Sequence, residues 1–268
     1  MGGVLNMNYN KTIEDIIFEQ EAAELIALGS LYEKQLMMES YYMEEETPST
    51  GEAPKVDGVN ALQRFWNWLR RCINVIKTKI AGYFANKKVD KLIDQLNKMK
   101  PDQMVKMDYN TFNVVSTLTH LSPEEYAKRY ENYGEYNPKM NYQKIADDMK
   151  KVSSFKAMIE FDLENDPSNN EKYLKEYKNS VLLDMFKKFK TLIQALAKGI
   201  TTINGDLKKI KDSLNEDEIK SNNFQQFVRY STECTKFNLK LVKIFGGWCS
   251  TFETQVYYQI RNQKDNNQ

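Results

Sequence analysis

"LLDMFKKFKTLIQALAKGITTINGDLKKIKDSL", residues 182–214, sets the fold class. Its apolar residues fall at Leu182, Phe186, Phe189, Ile193, Leu196, Ile200, Ile203, Leu207, Ile210 and Leu214, with gaps alternating four and three. That alternation keeps one narrow face of an α-helix against a partner helix at about +20°. A polar break, "NEDEIKSNN" at 215–223, follows, and Phe227, Ser231, Cys234, Asn238, Leu241, Phe245, Trp248 and Phe252 then resume the same spacing. Two such stripes joined by a short break predict a long C-terminal antiparallel hairpin inside an all-α, elongated helical bundle. A second subunit covering the seam Phe186, Phe189, Ile193, Leu196, Ile200, Ile203 and Leu207 is the other arrangement, and would make a homo-oligomer. Gly246-Gly247 inside the last helix predicts a kink or a close helix crossing.

Upstream, Leu62, Phe65, Trp66, Leu69, Cys72, Ile73, Ile76, Ile80, Tyr83 and Phe84 form a clean helical stripe. Residues 60–88 also hold seven basic and no acidic residues. Arg64, Arg70, Arg71, Lys77 and Lys79 lie among them, and Trp68 falls off the main stripe. A helix with tryptophan on one side and unrelieved cations on the other suits a membrane interface or the phosphates of a nucleic acid. Trp66 and Trp68 would be its aromatic anchors. The bland alternative is a core helix with a wet basic side, or one matched to acids elsewhere in the chain. A further helix over about Val89 to Met99 is expected to stop before Pro101, whose ring disfavours continuation.

Those acids are at the N-terminus. Residues 1–53 contain eleven carboxylates against Lys11 and Lys34, a net of −9; with a total of +1, residues 54–268 carry +10. Residues 10–46 show a helical pattern with apolar residues on one face and acids expected on the other. "TPSTGEAPKVDGV", 47–59, is a linker by composition. The expected units are therefore a separable acidic leader (1–46), the linker (47–59), a basic helix with a helical domain (60–164) and the hairpin (165–268).

Chemistry is harder to find. Eleven glycines and six prolines leave little punctuation for a many-stranded fold. No Gly-rich phosphate cradle, His/Cys pair at metal-ligand spacing or nucleophile elbow occurs, so neither catalysis, a metal nor a cofactor is expected. The single histidine, His120, beside Leu118 and Leu121, reads as a core or cap residue. Cys72, Cys234 and Cys249, odd in number and widely spaced, read as buried free thiols. Tyr126, Tyr130, Tyr133, Tyr136 and Tyr142, interleaved with Lys128, Arg129 and Lys139, offer base stacking or half-buried packing. No apolar run is long enough to span a bilayer.

The order of parts, "NKTIEDIIFEQEAAELIALGSLYEKQLMMESYYMEEE", a short linker, then "FWNWLRRCINVIKTKIAGYF", resembles internal head proteins of large tailed bacteriophages. The resemblance covers about 90 residues and is one of architecture. It implies that the acidic helix is an address into the assembling capsid and that a prohead protease removes it after a Glu. Glu52 in "TGEAPK" is then the best-placed cleavage site, with Glu39 and Glu46 as alternatives. It also implies a non-enzymatic virion protein held inside the head, or ejected with the genome, with capsid, portal or other virion proteins as partners. DNA or a membrane surface would meet the basic helix. An inhibitor of a host defence protein and a membrane-active helical effector are the other function classes.

Overall fold

The computed structural model describes residues 13–44, 58–120, 136–150, 174–214, 218–219 and 221–265. The chain is mostly helical, with one small two-stranded sheet. In order these are α1 (Ile13–Glu44), α2 (Gly58–Phe84), α3 (Lys88–Asn97), β1 (Met104–Asp108), α4 (Tyr109–Leu118), α5 (Tyr142–Lys150), β2 (Leu174–Lys178), α6 (Asn179–Ser213) and α7 (Asn222–Asp265). Residues 47–57 of the expected linker, with Glu46 and Glu52, lie outside the described residues, and residues 58–59 open α2.

One continuous apolar core runs through α1, α2, α3, α6 and α7. The final helix is its centre: Phe224, Phe227, Phe245, Trp248 and Phe252 are fully buried. Phe186 of α6 meets Phe245 and Phe252 at 5.7 and 4.9 Å between ring centroids, and Phe189 meets Phe245 and Trp248 edge-on. Phe186, Phe189, Ile193, Leu196 and Ile200 are buried within the monomer. The side chains of Ile203 and Leu207 lie outside the described residues.

Two breaks in the helical pattern make the sheet. Pro101 ends the α3 region as expected, and β1 then pairs antiparallel with β2 from Met104↔Lys178 to Asp108↔Leu174. The sheet fastens the end of α3 to the start of α6. Asn179 donates from its backbone N–H to the Gln103 carbonyl at 2.8 Å and from Nδ2 to the Leu96 carbonyl at 3.2 Å. Phe112 of α4 stacks on Tyr177 of β2 at 3.8 Å. Asp108 caps α4, its carboxylate accepting from the Thr111 N–H at 2.7 Å. The chain is mostly helical, consistent with the all-α expectation, and this small sheet is an addition to it. It also joins residues on either side of the expected domain boundary at 164/165.

The acidic helix α1 packs on the body of the fold. Phe18, Ala22, Leu25 and Leu36 of α1 are buried in the same core as α2 and α7. The acids do not occupy one solvated face. Asp15, Glu21 and Glu33 sit at the flanks of the buried stripe, where they meet cations on α2 and α7.

Candidate functional site: the acidic and basic helices

Helix α2 carries the cations singled out in the sequence, and α1 lies along it in antiparallel register. Asp15 pairs with Lys79 at 2.7 Å, Glu21 with Arg71 at 3.2 Å, and the Leu25 carbonyl accepts from Trp68 Nε1 at 2.8 Å. Each step towards the C-terminus of α1 is thus a step towards the N-terminus of α2. Helix α7 supports the other flank: Arg229 reaches Glu33 at 3.4 Å, and the Ser250 hydroxyl lies 3.5 Å from Asp15.

The contacts differ in weight. Arg71 and Glu24, 3.7 Å apart, are both well exposed, so that pair contributes little. Lys79 and Asp15 are only 13% and 16% exposed, and Lys79 also donates to the Glu14 carbonyl at 3.2 Å. Its ammonium sits 5.3 Å from the ring centres of both Phe18 and Tyr83, so cation–π attraction adds to the ion pair. Burial pushes the Glu33 carboxyl up despite Lys236 and Arg229 nearby, with Glu233 adding to the rise.

Gly29 makes the key fit. A Cβ there would lie 2.3 Å from Cζ2 of Trp68, well inside contact distance. The missing side chain lets the indole lie flat on the α1 backbone and reach the carbonyl one turn earlier. A second close approach joins α2 to α7, where a Cβ on Gly246 would lie 2.1 Å from the Tyr83 hydroxyl. Of the two outcomes expected for Gly246-Gly247, this is the close crossing.

The sequence-derived site therefore splits. Trp66 and Trp68 are each only 3% exposed, so the two tryptophans expected as surface anchors lie inside the fold. Trp68 leaves the main stripe because α2 packs against α1 as well as against α6 and α7, so its buried arc is wider than one stripe. Arg71 and Lys79 are engaged by the leader. Arg64 and Arg70 remain exposed, with Asn67 between them and exposed Asn74 and half-buried Lys77 beyond. This strip holds no acid, and no carboxylate among the described residues pairs with Arg64, Arg70 or Lys77.

The remaining candidates separate as well. His120 is exposed just past α4, neither in the core nor acting as a cap. Tyr142 is wholly buried between Phe227 and Tyr230, so it offers no face to a base, and half-buried Tyr136 packs on Phe224 and Phe227. Tyr126, Tyr130 and Tyr133 lie outside the described residues. Cys72, Cys234 and Cys249 are buried free thiols, and burial pushes each one up. Among the described residues no group of His, Cys, Asp and Glu could hold a metal ion. No helix searched there is long and apolar enough to cross a membrane.

Sequence reasoning missed the glycine slot at Gly29. Its signal was a lone glycine amid helix formers, at a position that belongs to the buried stripe Phe18, Ala22, Leu25 and Leu36. No family model matches the chain, and comparisons with curated proteins and with solved structures return no match.

Proposed function

We propose that the chain is a non-enzymatic bacteriophage virion protein, packaged inside the head or ejected with the genome, that contacts a polyanion through α2. One observation carries the polyanion part: the exposed side of α2 presents Arg64, Arg70 and Lys77 with Asn67 and Asn74 and no acid, while both tryptophans are inside. Cations without aromatic anchors suit phosphates better than the acyl boundary of a bilayer. The frame in this reading is an elongated bundle whose α6 and α7 form the long antiparallel heptad hairpin. Capsid or portal proteins are the expected neighbours.

The location rests on the order of acidic helix, linker and basic helix. Cleavage after Glu52 would leave α1 held by its buried side chains and ion pairs. It would lower the effective concentration that the tether supplies. Cleavage after Glu39, inside α1, requires that helix to open first.

Two measurements test the proposal. Affinity for duplex DNA should fall with salt at a log–log slope near −0.9 per phosphate engaged, so about −3 for three cations. The triple change Arg64→Gln, Arg70→Gln, Lys77→Gln should remove most of that slope; an unchanged slope sinks the polyanion reading. Mass spectrometry of purified virions should find the protein, with a new N-terminus at Ala53 where processing occurs. Its absence there sinks the virion reading.

A further inference from the structure

Arg71 belongs by its spacing to the basic side of α2. Arg64, Asn67, Arg71 and Asn74 are all exposed and fall three, four and three residues apart, which lines them up along one side of the helix. A phosphate backbone lying on Arg64 and Arg70 would therefore reach Arg71 as well. Its guanidinium is already taken. Nη2 meets Glu21 Oε1 at 3.2 Å and Nη1 meets Glu24 Oε1 at 3.7 Å, both carboxylates coming from α1. One carboxylate oxygen stands at each terminal nitrogen, as two oxygens of a single phosphate would.

These two acids are not what seats α1. The side chains of Arg71, Glu21 and Glu24 are 47%, 32% and 58% exposed, so water and salt reach them and the pairs add little to the fold. The helix is held instead by the Trp68 indole over Gly29, by its bond to the Leu25 carbonyl and by the shielded pair of Lys79 with Asp15. Glu21 and Glu24 are thus kept beside Arg71 by contacts that do not depend on it. A phosphate must compete with them at the high effective concentration that the packed helix supplies.

We infer that Glu21 and Glu24 are a built-in competitor for nucleic-acid phosphate at Arg71, an autoinhibitory contact that limits the strip to Arg64, Arg70 and Lys77. The inference rests on the polyanion reading of α2 and adds its regulation. In the unmodified chain a phosphate that takes Arg71 frees two carboxylates, which draw cations from solution, so this contact gives no net counterion release. With the acids neutralised, Arg71 counts as one more cation.

The full chain and duplex DNA supply the test. Glu21→Gln with Glu24→Gln keeps the shape of both side chains and should leave the urea midpoint close to that of the unmodified chain. Its log–log salt slope should be steeper by about 0.9, the value of one phosphate. Referred to about 1 M salt, where this gain vanishes, affinity should rise about 15-fold at about 50 mM salt and about four-fold at about 200 mM. Glu24→Gln alone should give part of the change. In an Arg71→Gln chain the same double change should not steepen the slope, which separates competition at Arg71 from a general loss of negative charge. A slope that the double change leaves alone, or steepens equally without Arg71, overturns the inference while the polyanion reading stands. No salt-dependent binding by any of these chains overturns both.

Discussion

Replacing Gly29 with alanine tests how the acidic helix is seated. In an exposed helix the change should stabilise, because glycine costs about 0.5–1 kcal/mol relative to alanine there. Here the new Cβ falls 2.3 Å from Cζ2 of Trp68 and 2.9 and 3.0 Å from two more ring atoms. The indole has nowhere to go. It is buried, lies 5.6 Å from the Phe65 ring, and its N–H is held by the Leu25 carbonyl. An overpacking cost near the top of the usual range, about 3 kcal/mol, therefore outweighs the helix gain and leaves a net loss of about 2 kcal/mol. For a chain of this size that is a fall of roughly 4–8 °C in Tm. The sign should reverse once the ring is removed. Trp68→Ala costs about 3–5 kcal/mol by itself, but Gly29→Ala added to it should gain about 1 kcal/mol, a coupling near 3 kcal/mol. Urea unfolding of the four chains by circular dichroism measures all these terms. Trp68→Phe substitutes for Trp68→Ala where the latter does not fold, and should reduce the Gly29→Ala penalty. If Gly29→Ala stabilises the unmodified chain, or shifts stability equally in both backgrounds, the indole does not lie on residue 29.

Asn238 is fully buried on α7 with neither amide atom partnered, so Asn238→Leu should raise stability by about 1–3 kcal/mol in urea unfolding. Gly246→Ala should lose about 1–3 kcal/mol through the Tyr83 hydroxyl, and Tyr83→Phe should recover part of that loss in the same assay. Burial holds the folded-state pKa of Glu33 above its unfolded value, so this group's contribution strengthens the fold as pH falls towards 4.5 and weakens it as pH rises through the raised value. Glu33→Gln should therefore flatten the pH dependence of the urea midpoint on the alkaline side of 4.5, with its advantage over the unmodified chain greatest near neutrality. Cys72, Cys234 and Cys249 should resist a thiol reagent at pH 8 and react together only on unfolding, since all are buried and pushed up.

Periodicity located α2, α3, α6 and α7 well, because each buries a stripe that repeats with the helical turn. The charge split between residues 1–53 and the rest hinted that the leader finds its counterions within the chain, and Arg71 and Lys79 are where it does. What stayed hidden depends on more than one neighbour. Trp68 looks misplaced on a wheel drawn for one partner and fits once α1 is added. Strands of five residues, "MVKMD" and "LKEYK", are too short to display alternation, and only their pairing across 65 intervening residues makes them strands. His120 has leucines at 118 and 121, yet it is exposed in the turn that follows Leu118.

The last helix is the hub of the core, and this orders events during synthesis. Leu25, Trp68 and Gly29 can meet as soon as α2 has left the ribosome, since α1 and α2 are neighbours in sequence. Phe186 and Phe189 must wait for Phe245 and Trp248, and Phe18 and Leu25 keep one flank open until α7 arrives. Contacts of such long sequence separation slow folding. A nascent chain halted before about residue 245 would hold most of its aromatic residues without a filled core, exposed to chaperones or to other chains. The N-terminal pair of helices is thus the first part of the core that can form, and α7 the last to complete it.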